Sequence, residues 1–493
     1  VDLKIPRPDA VIDDWQIVFR SMVFVGLASL ALRAPFWIDP GFSVDSYTNA
    51  NGFPALQFFL AQGRIGQFLM IHAVESIGIN YQASSLLLQA IGIFMLGAAS
   101  VLAISAFFRV EASTQKAICL ASLLFVAHPF NAEILTFPEA SFYPHFATFV
   151  SSFALFLAAR RVVPIALAVA AIAFSLSIYQ ISINILLVAL MLGFIGVICR
   201  LPASVMDRQG ILRCGASVVF AALAYFVAAK VLAHLLGDGM EGRGTLLPVD
   251  AIPRRLEELH QLGLQLLDRF YVLKRPLLII LAASLVAAGY ASASVRSGKV
   301  VLRQAGLASA YLAFAACGVG IVAVANVWWP VPRVLIGLSF AMAAAALPAL
   351  IHPGRLTRAY AVCCSILLIL GGTSVGLGIH ADQKRINAWD DDLAERLYED
   401  ASALAGTTTP RIEIANVHMK WTHAVGVESL WGDMNMSAFA VPGALPGLFR
   451  ESLGAKVDII ETTPAWMTAC NTLPGWPDER SMQLQGDIVQ VCI

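Results

Sequence analysis

The chain has 493 residues, 58% of them hydrophobic and only 13% charged, with 33 basic and 33 acidic side chains and no net formal charge. Soluble domains carry about 25% charged residues; here the mean hydropathy is +0.73, and many uncharged runs reach the roughly 20 residues needed to cross a bilayer as a helix. A soluble protein is therefore excluded, continuous rather than alternating apolar runs exclude a membrane β-barrel, and charge neutrality excludes a nucleic-acid footprint on the whole-chain scale.

In chain order, a short polar N-terminus leads into a first apolar segment at about residues 15–34. Small residues near Ala28 and Ala31 imitate a cleavage site, but the run is long, and an uncleaved signal-anchor is expected. The interval Phe36–Gln67 follows, FWIDPGFSVDSYTNANGFPALQFFLAQGRIGQ. It holds the carboxylates Asp39 and Asp45, a Gly/Pro-punctuated turn, an aromatic amphipathic run and the pair Gly63-Arg64. Lipid contact alone explains none of these. Residues 53–61 are too short to span and fit a helix lying in the interface. Residues 66–79, with His72 and Glu75, read as partly inserted or interfacial.

Further spans are expected at about 83–108, 115–130, 142–159, 162–178, 181–199, 212–235, 273–293, 304–326, 333–350 and 359–379. With the first, that makes about 11 transmembrane helices in an all-α polytopic membrane protein. Lys and Arg in short loops favour the cytoplasm. With a cytoplasmic N-terminus every inside loop is basic (Arg109 and Lys116; Arg160 and Arg161; Arg200, Arg208 and Arg213; Arg296, Lys299 and Arg303; Arg355 and Arg358), whereas the outside loops at 131–141 and 179–180 hold no Lys or Arg. An odd span count puts the C-terminus outside. The expected domains are then 1–380, the membrane part, and 381–493, an extracytoplasmic α/β or α+β domain. The second opens on a charged helix, Ala381–Leu404, and has strand character at Arg411–Val417 and Ala455–Ile460.

Six of the eight cysteines lie in or beside apolar runs, where cysteine behaves as a small hydrophobe. Cys470 and Cys492, in the polar tail, would form a disulfide in an oxidising compartment. No cysteine has zinc-ligand spacing, so no metal site is read from the chain. A divalent ion such as Mg2+ or Mn2+ is neither required nor ruled out.

This topology gathers the informative polar residues on the outer side. They include Asp39, Asp45 and Arg64; His128, Asn131, Glu133, Glu139, Tyr143 and His145; Tyr179 and Gln180; Arg243, Arg254 and Arg255; Lys274 and Arg275; and Arg333, beside Trp328 and Trp329. Ionisable groups at membrane depth are costly unless paired or solvated, so a one-sided cluster suggests a cavity opening outward. A carboxylate just after the first span, facing basic loops, suits transfer of a sugar from a lipid phosphate to a hydroxyl. The carboxylate acts as general base, and the cations stabilise the departing phosphate. Each residue also has an ordinary role: Asp45 or Glu139 as a helix cap, Asp39 in a turn, the arginines as lipid-facing side chains, the tryptophans as an interfacial belt.

The order of VDSYTNA at 44–50, GFPALQFF at 52–59, QGRIGQ at 62–67, SIYQ at 177–180 and PRVL at 332–335 resembles the O-antigen glucosyltransferases of bacterial serotype conversion, over residues 15–380. The resemblance implies a GT-C type, inverting glycosyltransferase of the bacterial inner membrane whose active site faces the periplasm. Its donor would be a polyprenyl-phosphate sugar, with glucose as the sugar, and its acceptor a lipid-linked or periplasmic glycan such as the O-antigen of lipopolysaccharide. Asp45 matches the first acidic position of the family motif, but the neighbouring position, often a second Asp, is Ser46. That departure raises Asp39 and Glu139 as substitutes. Two other classes compete: a flippase or transporter for a lipid-linked glycan, and a membrane anchor whose outer domain, with Trp421, His423, Glu428, Trp431 and Asp433, does the work. Transporters place charge near the midplane on repeated, broken helices; no repeat is seen, and the polar residues lie at one side.

Overall fold

The computed structural model describes residues 8–49, 56–78, 84–201, 204, 208–237, 239–270, 273–297, 301–417, 427–429, 431, 434–454 and 457–493. It is mostly helical. Each of the expected apolar segments contains a helix: Pro8–Leu32, Ser85–Ser105, Gln115–Ala127, Phe142–Ala159, Ile165–Ile178, Ser182–Ile198, Arg208–Leu236, Pro276–Ser297, Val301–Val319, Ile336–Leu350 and Arg355–Ala405. Among the described residues six helices are long and apolar enough to cross a membrane, and a bent pair would make a seventh. Ile165–Ile178, Ser182–Ile198 and Ile336–Leu350 are apolar but shorter. The chain is thus a membrane-embedded helical protein.

The departures from regular spans have local causes. Gln115–Ala127 stops at His128, which is extended because it precedes Pro129. The chain restarts as Phe130–Thr136, turned by 60°. Val301–Val319 ends sooner than the expected 304–326 because Gly320 takes φ +46°, where a Cβ would strike the Asn184 side chain. Asn184 Oδ1 accepts from the Ile321 amide at 3.0 Å instead, and residues 321–326 continue as a short turn and an extended strap. Leu246 and Ala325 pair across that strap.

The expected boundary at residue 380 falls inside one unbroken 51-residue helix, Arg355–Ala405, here the long helix. At 1.5 Å per residue it runs about 75 Å. It ends at Gly406, whose φ of +65° suits a helix C-terminus. Beyond it lies a four-stranded sheet, order β2-β1-β4-β3, from β1 (Arg411–Ala415), β2 (Asp458–Ile460), β3 (Met482–Gln485) and β4 (Ile488–Cys492). β1 runs parallel to β2 and β4, and β3 returns antiparallel to β4. The helix Leu445–Leu453 provides the crossover that a parallel β1–β2 pair needs. Cys470 and Cys492 are joined by a disulfide that fastens the helix Pro464–Cys470 to β4.

The molecule has two main apolar cores. One fills the helix bundle. The other joins the sheet (Ile412, Ile414, Val489, Val491), the helix Leu445–Leu453 and the end of the long helix (Leu393, Leu397). It also takes in Val44 and Tyr47 from the first loop.

Candidate active site

The first loop builds one wall of a cavity of about 350 Å³ at the end of the bundle nearest the sheet. Val44–Asn49 is helical, and this short Asp45 helix places Asp45 on the cavity, exposed. Its Val44 and Tyr47 point the other way and are buried. Beside Asp45 is Glu139, only 5% exposed. Ser46 Oγ donates to Glu139 Oε2 at 2.8 Å, and Asn49 Nδ2 to Oε1 at 3.4 Å. Burial first, and then the neighbouring Asp45 charge, push the Glu139 carboxyl up to about 7 against the hydrogen bonds that favour its ionised form. The position where a second Asp was missed is thus a hydroxyl holding a carboxylate from a distant segment.

A second wall is the turn Gln62-Gly63-Arg64. Gly63 has φ +69°, and a Cβ there would press on the Tyr225 hydroxyl. Gln180 locks the turn. Its Nε2 donates to the Gln62 carbonyl at 2.6 Å and to Tyr225 Oη at 2.8 Å, while Tyr225 Oη donates to the Gly63 carbonyl at 3.1 Å. Arg64 Nε donates to Gln180 Oε1 at 3.4 Å, and its guanidinium lies 5.1 Å from the centre of the Tyr179 ring. Tyr179 and Gln180 occupy the break between Ile165–Ile178 and Ser182–Ile198, so the interruption noted in the sequence carries cavity residues.

The third wall holds Arg333. Its Nη1 and backbone amide both donate to the fully buried Glu133 carboxylate at 2.5 Å, and the guanidinium lies 4.8 Å from the Phe137 ring centre. Trp329 and Val327 complete this side.

The cavity therefore unites Asp45, Glu139, Arg64, Tyr179, Gln180 and Arg333. The other expected site residues lie elsewhere. Asp39 is exposed and faces the long helix, where a hydrogen bond from Lys384 at 2.8 Å holds its carboxyl below the usual range. Arg254 is exposed and pairs with Glu258. Arg255 is buried; it donates to Glu258 and to the carbonyls of Val322, Ala323, Ala325 and Asn326, with its guanidinium 4.9 Å from the Trp328 ring centre. It pins the strap that backs the cavity rather than facing the cavity itself. Lys274 is exposed, and Arg275 lines a separate cavity of about 270 Å³ with Asp382, Arg385 and Glu428. The Arg243 side chain lies outside the described residues, as do Trp421, His423 and Asp433. Among the described residues no three His, Cys, Asp or Glu side chains converge as metal ligands.

Sequence reasoning missed Ser46, Asn49, Glu133 and Tyr225 as partners of the cavity residues. Each acts across at least 45 residues of chain, and no local pattern announces such contacts. Comparison with known families gives a match over residues 35–369 to the family described as Glucosyl transferase GtrII. No curated protein and no solved structure matches the chain. The matched range contains every wall of the cavity and stops within the long helix, before the sheet.

Proposed function

Because the chain belongs to the GtrII glucosyl transferase family, the serotype-converting O-antigen glucosyltransferases, we propose that it moves a glucosyl unit from a polyprenyl-phosphate donor to a glycan acceptor at the periplasmic face of the bacterial inner membrane. Family membership favours the transferase over the transporter considered above. The observation that carries the reading is one cavity in which two carboxylates, Asp45 and Glu139, face two guanidinium groups, Arg64 and Arg333, brought from separate segments. The basic loops, which favour the cytoplasm, support a cavity that opens on the outer side.

In this reading Asp45 accepts the proton of an acceptor hydroxyl. The acceptor oxygen attacks the anomeric carbon as the bond from that carbon to the phosphate oxygen breaks. The polyprenyl phosphate leaves with the electron pair, and the configuration at the anomeric carbon inverts. Arg64 and Arg333 stabilise the charge that grows on the leaving phosphate, where fixed cations in a site of low dielectric act most strongly. Glu139 sits beside the base. As it ionises near pH 7 it raises the proton affinity of Asp45. The lipid tail lies along the apolar flank of the cavity, which Phe58, Phe59 and Val327 line.

The test is glucosyl transfer in membranes supplied with defined polyprenyl-phosphate sugars. Asp45→Asn keeps size and hydrogen bonding and loses about 10²–10⁴-fold in rate while inserting normally. Wild-type transfer by that variant removes Asp45 from the mechanism.

A further inference from the structure

The Asp45 helix is only six residues long, too short to be stable by itself, so something else sets where Asp45 points. Four residues of the long helix, His380, Gln383, Lys384 and Asn387, recur at the spacing that puts them on one helical face. All four grip the segment leading into the Asp45 helix. A ring nitrogen of His380 bonds the Asp39 carbonyl at 2.7 Å, and Lys384 pairs with the Asp39 carboxylate at 2.8 Å. Gln383 Nε2 donates to the Phe42 carbonyl at 2.6 Å. Asn387 accepts from the Phe42 amide and donates to the Phe42 carbonyl, each at 2.8 Å, and also donates to Tyr47 Oη at 3.2 Å. Gln383 and Asn387 are buried.

The sheet domain holds the opposite side. Val44 and Tyr47 belong to its core, packed with Leu445, Leu448 and Phe449. Gly447 passes so close that a Cβ there would run into the Tyr47 carbonyl. The face carrying Asp45, Thr48 and Asn49 is left to the cavity.

We propose that the C-terminal region positions the catalytic carboxylate: Asn387, Gln383 and Gly447 are positioning residues that aim Asp45, acting through the backbone of Phe42 and Tyr47. The C-terminal half of the long helix and the sheet domain are then part of the catalytic unit. This rests on Asp45 being the general base.

The experiment uses the full chain in membranes with polyprenyl-phosphate glucose as donor, and reads kcat and KM separately. Asn387→Asp is isosteric and still accepts from the Phe42 amide, but as a carboxylate it faces the Phe42 carbonyl without a proton to donate. Gly447→Ala displaces the Tyr47 backbone. Both are expected to lower kcat about ten- to a hundredfold, as a displacement of about 1 Å does, with donor KM changed less than about twofold. Lowering the pH returns a proton to the introduced carboxyl, so Asn387→Asp recovers relative to wild type at acidic pH. Arg480→Ala, at an exposed ion pair of the same domain, retains wild-type kcat. Wild-type kcat in both Asn387→Asp and Gly447→Ala, with Asp45→Asn inactive, overturns the positioning role alone. An active Asp45→Asn instead overturns the reading on which it rests. If Gly447→Ala fails to accumulate, the kcat and acid recovery of the isosteric Asn387→Asp decide.

Discussion

Asp45 and Glu139 line the same cavity, yet Asp45 is exposed on a six-residue helix whose orientation comes from contacts behind it, while Glu139 is almost fully buried and its carboxylate oxygens accept hydrogen bonds from Ser46 and Asn49. The two regions share Ser46, which belongs to the Asp45 helix and hydrogen-bonds Glu139. The difference separates two tasks. In the proposed mechanism the carboxylate exposed to the cavity receives the proton of an incoming hydroxyl. A buried one titrates near neutrality and adjusts the field around the first.

Breaking the exposed member has the largest expected effect, the roughly 10²–10⁴-fold loss in Asp45→Asn. Breaking the buried member sharpens the comparison. Glu139→Gln keeps the shape and accepts from Ser46, but cannot ionise. Transfer is expected to fall about tenfold, and the rise of activity through pH 7 to flatten. Stability moves the other way. Burial raises the Glu139 carboxyl from 4.5 to about 7, so between those values the folded state binds more protons than the unfolded one, and stability declines as pH rises. Glu139→Gln removes that decline. Its melting temperature should exceed that of wild type at pH 8 and match it at pH 4. A variant whose advantage does not grow with pH would show that Glu139 is not held as a raised carboxyl.

The opposing cations show the same contrast between exposure to the cavity and structural use. Arg64 is oriented by Gln180 and Tyr179 and faces the cavity, while Arg255 is saturated by backbone carbonyls behind it. Arg64→Lys keeps the charge but loses the planar contact with Tyr179 and the fork that matches a phosphate. Donor KM is expected to rise about tenfold, in line with about 1.5 kcal/mol for a hydrogen bond to a charged group, and kcat less. Donor titration at fixed acceptor measures it.

Much of this was legible along the chain. Apolar run length located the helices, and Asp45, Arg64, Tyr179 and Gln180 stood out as polar residues that lipid does not explain. What the sequence hid were contacts between distant segments. Glu139 meets Ser46 across 93 residues, and Asn387 meets Phe42 across 345. Ser46 illustrates the limit. Read along the chain it is a lost acid; in space its hydroxyl delivers one from another loop. Arg255 illustrates the converse: a basic residue in a polar loop suggested phosphate binding, and four carbonyls from residues 322–326 engage it instead.

The smallest effect is expected at Asp39, and it discriminates sharply because Asp39 and Asp45 lie in the same loop. The Asp39 side chain is 68% exposed and its partner Lys384 is 40% exposed. An ion pair so open to water contributes at most about 1 kcal/mol. The part of Asp39 that anchors the loop is its backbone carbonyl, bonded to His380, which a side-chain substitution leaves in place. Asp39→Asn should therefore transfer glucose within about twofold of wild type, with a slight loss of thermal stability that disappears in high salt as the pair is screened. The lowered carboxyl of Asp39 contributes its stability above its unfolded value and loses it as pH falls, so the difference from wild type also vanishes in acid. A rate loss in Asp39→Asn comparable to that of Asp45→Asn would mean that the essential acid lies where the first loop meets the long helix, rather than on the cavity wall.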